Sequence, residues 1–243
     1  MRKMLLLTCL SALLAGCGPT MDSYMDPSRQ ENGLVMILPG IEGISGYNLN
    51  IKKGLVGSGL KYAITIQPWG APMGLVINQM NVLGNRLEGQ KIARWISQEY
   101  LEKYPGRPVW LIGHSGGGGI AVFTAEAMPR GKKITGLVLL SASLHKDYDI
   151  SKAMANLEYG IVNYYNPSDS ALLELGTTLT SNVDGMRGPS AGLRGFSSNH
   201  PKLHDVRITG SGGDPHGAAT RPSFIRHNVV PWLRRGSAVA ISD

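Results

Sequence analysis

The sequence predicts an α/β fold, a doubly wound and mainly parallel sheet in one domain, and three observations predict it. Apolar runs of strand length recur along the chain and end at Gly, Pro or Ser turns. Stretches with helical spacing lie between them. A glycine-rich turn stands directly after one of these runs, where a helix begins. Strands separated by helices need crossover connections, which are right-handed and place helices on both faces of a parallel sheet. A length of 243 residues suits a single domain with a full core.

Taken in order, Leu34-Val35-Met36-Ile37-Leu38 is continuously apolar and ends at Pro39-Gly40, the pattern of a strand covered on both faces. Residues 62–66 form a second strand, closed by Gln67-Pro68-Trp69-Gly70. The clearest helix spans 85–104: Leu87, Ile92, Trp95, Ile96, Tyr100 and Leu101 recur at helical spacing, and Pro105-Gly106 stops it. Val109-Trp110-Leu111-Ile112 is the third strand, and a helix of small residues follows over 120–128. Residues 134–140, 160–165 and 203–209 supply three more strands. A helix over 223–233 closes the domain, with Pro231 at its end or at a kink. Between 143 and 160 there is room for one short helix, so a minimal cap and an open site are expected.

The first residues read as an address. Met1-Arg2-Lys3 is a short positive segment, and residues 4–15 are apolar but too few to span a bilayer core of about 30 Å. The run ends in Leu14-Ala15-Gly16-Cys17, which resembles the lipobox of bacterial lipoproteins. That resemblance implies a signal peptide over 1–16 and a lipid-bearing Cys17. The implied location is the cell envelope, with membrane attachment through the anchor. Gly18, rather than Asp, follows Cys17, and in a two-membrane cell the family rule then favours the outer membrane. Residues 17–32, polar and with Pro19 and Pro27, read as the lipidated cysteine and a flexible tether to a domain over 33–243. The other cysteine, Cys9, lies in the apolar run, so the mature domain carries no thiol for a disulfide or a metal.

A formal net charge of +7 raises the question of nucleic acid. Loss of Arg2 and Lys3 lowers it by two. The remaining cations are scattered in small groups, at Lys52-Lys53, Arg130 to Lys133 and Arg234-Arg235, with no interleaved aromatics. A solvated basic surface facing anionic lipid or polysaccharide is expected, and no nucleic-acid partner.

The chemistry sits in Gly113-His114-Ser115-Gly116-Gly117, directly after a strand and at the start of a small-residue helix. A serine on so sharp a turn needs neighbours without bulk two residues either side, which Gly113 and Gly117 provide. The helix start also aims backbone N–H groups at a reacting oxygen. With Leu111-Ile112 before it, this segment resembles the nucleophile elbow of the α/β-hydrolase superfamily, and the element order over 34–235 matches as well. The resemblance implies a serine hydrolase, with Ser115 as nucleophile and no cofactor or metal.

In that superfamily an acid and then a histidine follow the serine. His216, in the glycine-rich loop 210–217 after the last strand, is the expected base, with His227 the next candidate. Asp169, after the fifth strand and a turn signal, is the expected acid; Asp147 and Asp149 are rivals. Asp214, two residues from His216, suits a local turn. The oxyanion hole is expected from the N–H groups of Gly116 and Ile41, within Pro39-Gly40-Ile41-Glu42-Gly43. Gly116 to Ala121 also fits a dinucleotide fingerprint, but the next strand ends Leu140-Ser141-Ala142 without the ribose-binding carboxylate. His200, His204 and Asp205 fail as a metal set because Pro201 breaks the helix between the histidines. Met73, Leu75, Val76 and Ile77 either line an acyl pocket or pack in the core. The expected substrate is a small-molecule or lipid ester. Acyl transfer by the same groups, or a binding lipoprotein that has lost activity, are the alternatives.

Overall fold

The computed structural model describes residues 24–70, 74–169, 181–209 and 213–240. Cys17, the expected signal peptide and Met73 lie outside them. Among the described residues six strands form one sheet in the order β2-β1-β3-β4-β5-β6, and each pairing of neighbouring strands is parallel. In chain order the elements are helix α1 (Pro27–Gln30), β1 (Leu34–Leu38), α2 (Gly46–Val56), β2 (Ala63–Ile66), α3 (Leu75–Met80) and α4 (Val82–Trp95). A π-type turn, Ile96–Tyr100, carries α4 into α5 (Leu101–Lys103). Then come β3 (Val109–His114), α6 (Gly116–Glu126), β4 (Ile134–Leu140), α7 (Ser151–Ala155), β5 (Leu157–Tyr165) and β6 (Leu203–Arg207). The closing helix runs from Pro222–Phe224 through a π-type turn, Ile225–Val229, into Val230–Ala240.

The unbroken apolar strands are explained by two cores, one on each face. Leu34, Met36 and Leu38 of β1, with Val109 and Leu111 of β3, join the core under α4 and α6. The alternate residues, Val35, Ile37, Trp110 and Ile112, join the opposite core under α2 and the closing helix. A strand buried on both faces has no solvent-facing position to fill with polar residues. The sheet order reverses between β1 and β3. In open parallel sheets the crevice at such a reversal, beyond the carboxyl ends of the strands, is where ligands bind.

Three features depart from the sequence reading. Residues 24–32, read as tether, are docked on the domain: the Tyr24 carbonyl accepts from Ile64 N at 2.9 Å, and Tyr100 donates its hydroxyl to the Gln30 carbonyl at 2.7 Å. Helix α2 carries no helical apolar pattern that sequence reading picked out, because Gly46, Gly54 and two asparagines dilute it. It starts on a capping box in which Ser45 and Asn48 satisfy each other's backbone N–H groups. A Cβ on Gly54 would meet the Ile225 side chain, so a small residue lets the two helices approach. Pro231 lies at the start of the closing helix's last section, just after the wide turn that its missing N–H tolerates.

Candidate active site

Ser115 directly follows β3 with φ 52° and ψ −123°, a strained conformation for a residue with a side chain. The turn is held from both sides: Ser115 N donates to Leu140 O and Ser143 N donates to Ser115 O, each at 3.0 Å. The glycines around it are packed against backbone. A Cβ on Gly113 would strike the Gly117 carbonyl, and one on Gly117 would strike the carbonyls of Leu38 and Pro39. Gly118 and Gly119 pack instead against the side chains of Ala142 and Val183, and α6 is buried along its whole length.

The loop after β1 comes up to the start of α6. The Ile41 amide nitrogen lies 3.4 Å from where a Gly116 Cβ would stand, so the two N–H groups expected as oxyanion donors are neighbours. As the first residue of α6, Gly116 has no carbonyl a turn earlier to take its N–H. The Ile41 loop closes as a tight turn, with Gly43 N donating to Gly40 O at 3.0 Å. Trp69 Nε1 holds the Pro39 carbonyl at 2.7 Å and Asn78 Nδ2 holds the Ile41 carbonyl at 3.1 Å.

His216 Nδ1 and Asp169 Oδ2 are 2.7 Å apart, and both residues are buried. Against a carboxylate, which only accepts, the imidazole must carry its proton on Nδ1 and leave Nε2 as the acceptor. Asp169 and His216 are tied at the backbone too. Asn166 accepts from Asp169 N through its carbonyl at 3.0 Å and donates its side-chain amide to Pro215 O at 2.9 Å. The His216 ring packs 4.7 Å from that of His114, the residue before Ser115. Tyr47 stands edge-on to His216, centroids 6.0 Å apart, and nearby Asp214 accepts from Gly217 N at 3.0 Å.

The other candidates go elsewhere. Asp147 pairs with Lys146 at 2.8 Å, and Asp149 accepts from Ser151 N at 2.9 Å. His227 is exposed on the closing helix. His145 bridges to Ser190, His200 accepts from Lys202 N, and His204 stacks on Trp232. Asp205 accepts from Asn163 Nδ2 at 2.6 Å. Among the described residues no group of three or more His, Cys, Asp or Glu is placed to hold a metal ion.

Leu75 and Ile77 belong neither to the core nor to a closed acyl pocket; both are largely exposed on α3. Among the described side chains of α3, Asn78 and Gln79 turn inward, and Gln79 Nε2 reaches Ser143 Oγ at 3.0 Å and the Ser181 carbonyl at 2.6 Å. Sequence reasoning missed both, along with Asn166. Two adjacent amides within the apolar stretch Leu75–Met80 were the available signal.

No protein-family model matches the sequence, and neither does any curated protein sequence. Solved structures do match in shape. An inhibited esterase B from Lactobacillus rhamnosis superposes with a TM-score of 0.54 at 15% identity, covering 87% of this chain and 79% of that one. A lipase in its open form gives a TM-score of 0.50 at 11% identity over 85% of this chain and 91% of that one. The fold is that of the α/β-hydrolases. Est1E from Butyrivibrio proteoclasticus, solved with ferulic acid, matches equally well, with a TM-score of 0.50 at 10% identity over 86% of this chain and 91% of that one.

Within this α/β-hydrolase sheet one buried histidine has a titration consequence. Burial first, and then the neighbouring His216, hold the His114 imidazole down to about 3, from an ordinary value of 6.5. Between those limits the unfolded chain binds a proton that the folded chain does not, so stability falls as pH falls from 6.5 towards 3. Urea midpoints measured from pH 7 to pH 4 should therefore decline less steeply in His114→Gln than in the parent. An unchanged slope refutes the assignment.

Proposed function

We propose that this protein is a serine hydrolase that cleaves an ester, whether a carboxylic ester, a lipid or a thioester, through an acyl-enzyme on Ser115. The proposed setting is the cell envelope, with the domain held to a membrane by lipid on Cys17. The observation that carries the reading is the 2.7 Å contact of His216 Nδ1 with Asp169, in a ring packed beside the residue that precedes Ser115. The esterase and lipase names of the structures sharing its fold support the same reaction class.

In this mechanism the Ser115 hydroxyl attacks the substrate carbonyl carbon while His216 Nε2 takes its proton. Asp169 fixes the ring's tautomer and stabilises the imidazolium. The N–H groups of Gly116 and Ile41 receive the developing oxyanion, a pair worth several kcal/mol in the transition state. Collapse breaks the ester bond, and the leaving alcohol or thiol takes the proton from His216. Water then attacks the acyl-Ser115 ester and gives His216 a proton. The second collapse returns that proton to Ser115 Oγ and releases the acid.

A fluorophosphonate probe tests this directly. The folded protein should form an adduct on Ser115, with labelling abolished in Ser115→Ala and strongly slowed in His216→Ala. An unlabelled Ser115 in folded protein overturns the enzyme reading and leaves a binding lipoprotein.

A further inference from the structure

Helix α3 is built inside out. Its amides Asn78 and Gln79 are buried and hydrogen-bonded inward, whereas Ile77 is 61% and Met80 53% exposed. The outward apolar run continues into α4 with Leu83 at 72% and Leu87 at 46%, at spacings of three and four residues. Met186 adds to it from a segment packed on the start of α4, where Asn85 Nδ2 holds the Val183 carbonyl at 3.3 Å. Beyond Leu87 the same stripe turns basic, with Lys91 and Arg94 exposed and Trp95 38% exposed beside them. Arg187 is exposed next to Met186. The nearby carboxylates are engaged: Glu88 pairs with Lys91 at 2.8 Å, and Asp184 accepts from His145 N at 2.8 Å and Met186 N at 2.9 Å.

Water-facing helices bury their apolar side, so this reversed polarity points to something other than water on the outside. The chain before Tyr24 narrows what that is. From Cys17 to Tyr24 the backbone spans at most about 25 Å when fully extended. A lipid on Cys17 therefore holds the domain close enough to a bilayer for one face to touch it. An apolar ridge edged by cations is the surface chemistry of an interfacial element on anionic lipid.

We propose that the ridge Ile77, Met80, Leu83 and Leu87, edged by Arg94 and Arg187, rests on an anionic lipid bilayer. The proposal rests on the reading of Cys17 as a lipid anchor. Its consequence for the site is geometric. The helix that lies on lipid through Ile77 and Met80 holds the oxyanion loop through Asn78 and reaches Ser143, next to Ser115, through Gln79. The reacting groups then stand one helix away from the lipid surface.

The test uses the full chain, isolated after growth with labelled palmitate and reconstituted in phosphatidylglycerol–phosphatidylethanolamine vesicles whose acyl chains are brominated. Trp95 is on the docking face, while Trp69 and Trp110 are buried. The emission lost in Trp95→Phe therefore isolates the reporter. Its intensity is expected to fall at least twofold in brominated vesicles. Ile77→Ser/Leu83→Ser should abolish that quenching while hydrolysis of a soluble p-nitrophenyl ester stays unchanged, which shows a folded protein. Palmitate-labelled chain with unquenched Trp95 overturns the docking face and leaves the anchor standing. Chain without label removes the anchor, and the docking proposal with it. Shielding of Trp95 that follows protein concentration in the absence of lipid identifies a second copy as the occupant and overturns the proposal.

Discussion

Asp169→Asn is expected to lower kcat for a soluble aryl ester by about four orders of magnitude, with little change in KM. The carboxylate is buried, and its Oδ2 meets His216 Nδ1 at 2.7 Å. An amide at that place can present its NH2 to Nδ1. That reverses the proton preference of the ring and puts the hydrogen on Nε2, where the proposed mechanism sends the serine proton. The ring is also left without a negative charge when it becomes imidazolium. Substrate binding involves neither effect, so KM stays near its parent value. Asp147→Asn and Asp149→Asn are the matched controls. Asp147 is committed to Lys146 and Asp149 to the Ser151 amide, both at the surface, and each variant should keep activity within about threefold. Stopped-flow and steady-state kinetics on the three purified variants decide the matter, with thermal melts to confirm folding. A loss under tenfold in Asp169→Asn moves the acid elsewhere.

The strands were legible because burial on both faces leaves an unmistakable trace. Leu34–Leu38 and Ile134–Leu140 are apolar at every position or nearly so, and each ends at a turn residue. Helix α2 was not legible: its start depends on a side-chain exchange between Ser45 and Asn48, and its Gly54 serves a contact with Ile225, far along the chain. The start of α6 was placed too late, because four consecutive glycines read as loop until the packing of each is known. In the site, order along the chain pointed to Asp169 and His216, yet order carries no distances. What order could not reveal is the scaffolding: Asn166 between the Asp169 and His216 loops, and Asn78 and Gln79 beneath an apolar exterior. Single amides whose partners lie tens of residues away have no periodicity to find.

Those four glycines also set the second large expectation. Gly117→Ala should destabilise the fold by about 2–3 kcal/mol and reduce kcat by about a hundredfold in the molecules that remain folded. The added Cβ would fall on the carbonyl oxygens of Leu38 and Pro39, at the end of a central strand. Leu38 is paired with Gly113 of β3 and the Pro39 carbonyl is held by Trp69 Nε1, so this backbone cannot yield and α6 has to move outward. Such a movement carries Gly116 away from the Ile41 amide, separating the two N–H groups that the proposed reaction uses as oxyanion donors. It also pulls on Ser115, whose carbonyl holds the amides of Gly118 and Ser143. Gly46→Ala is the informative comparison. It opens α2, nothing lies within 4 Å of its added Cβ, and the change should leave both stability and kcat close to the parent. Urea denaturation and ester kinetics on the pair separate the close approach of α6 from any general intolerance of alanine. If Gly117→Ala is as stable and as active as Gly46→Ala, the contact between α6 and the β1 loop does not set the geometry of the elbow.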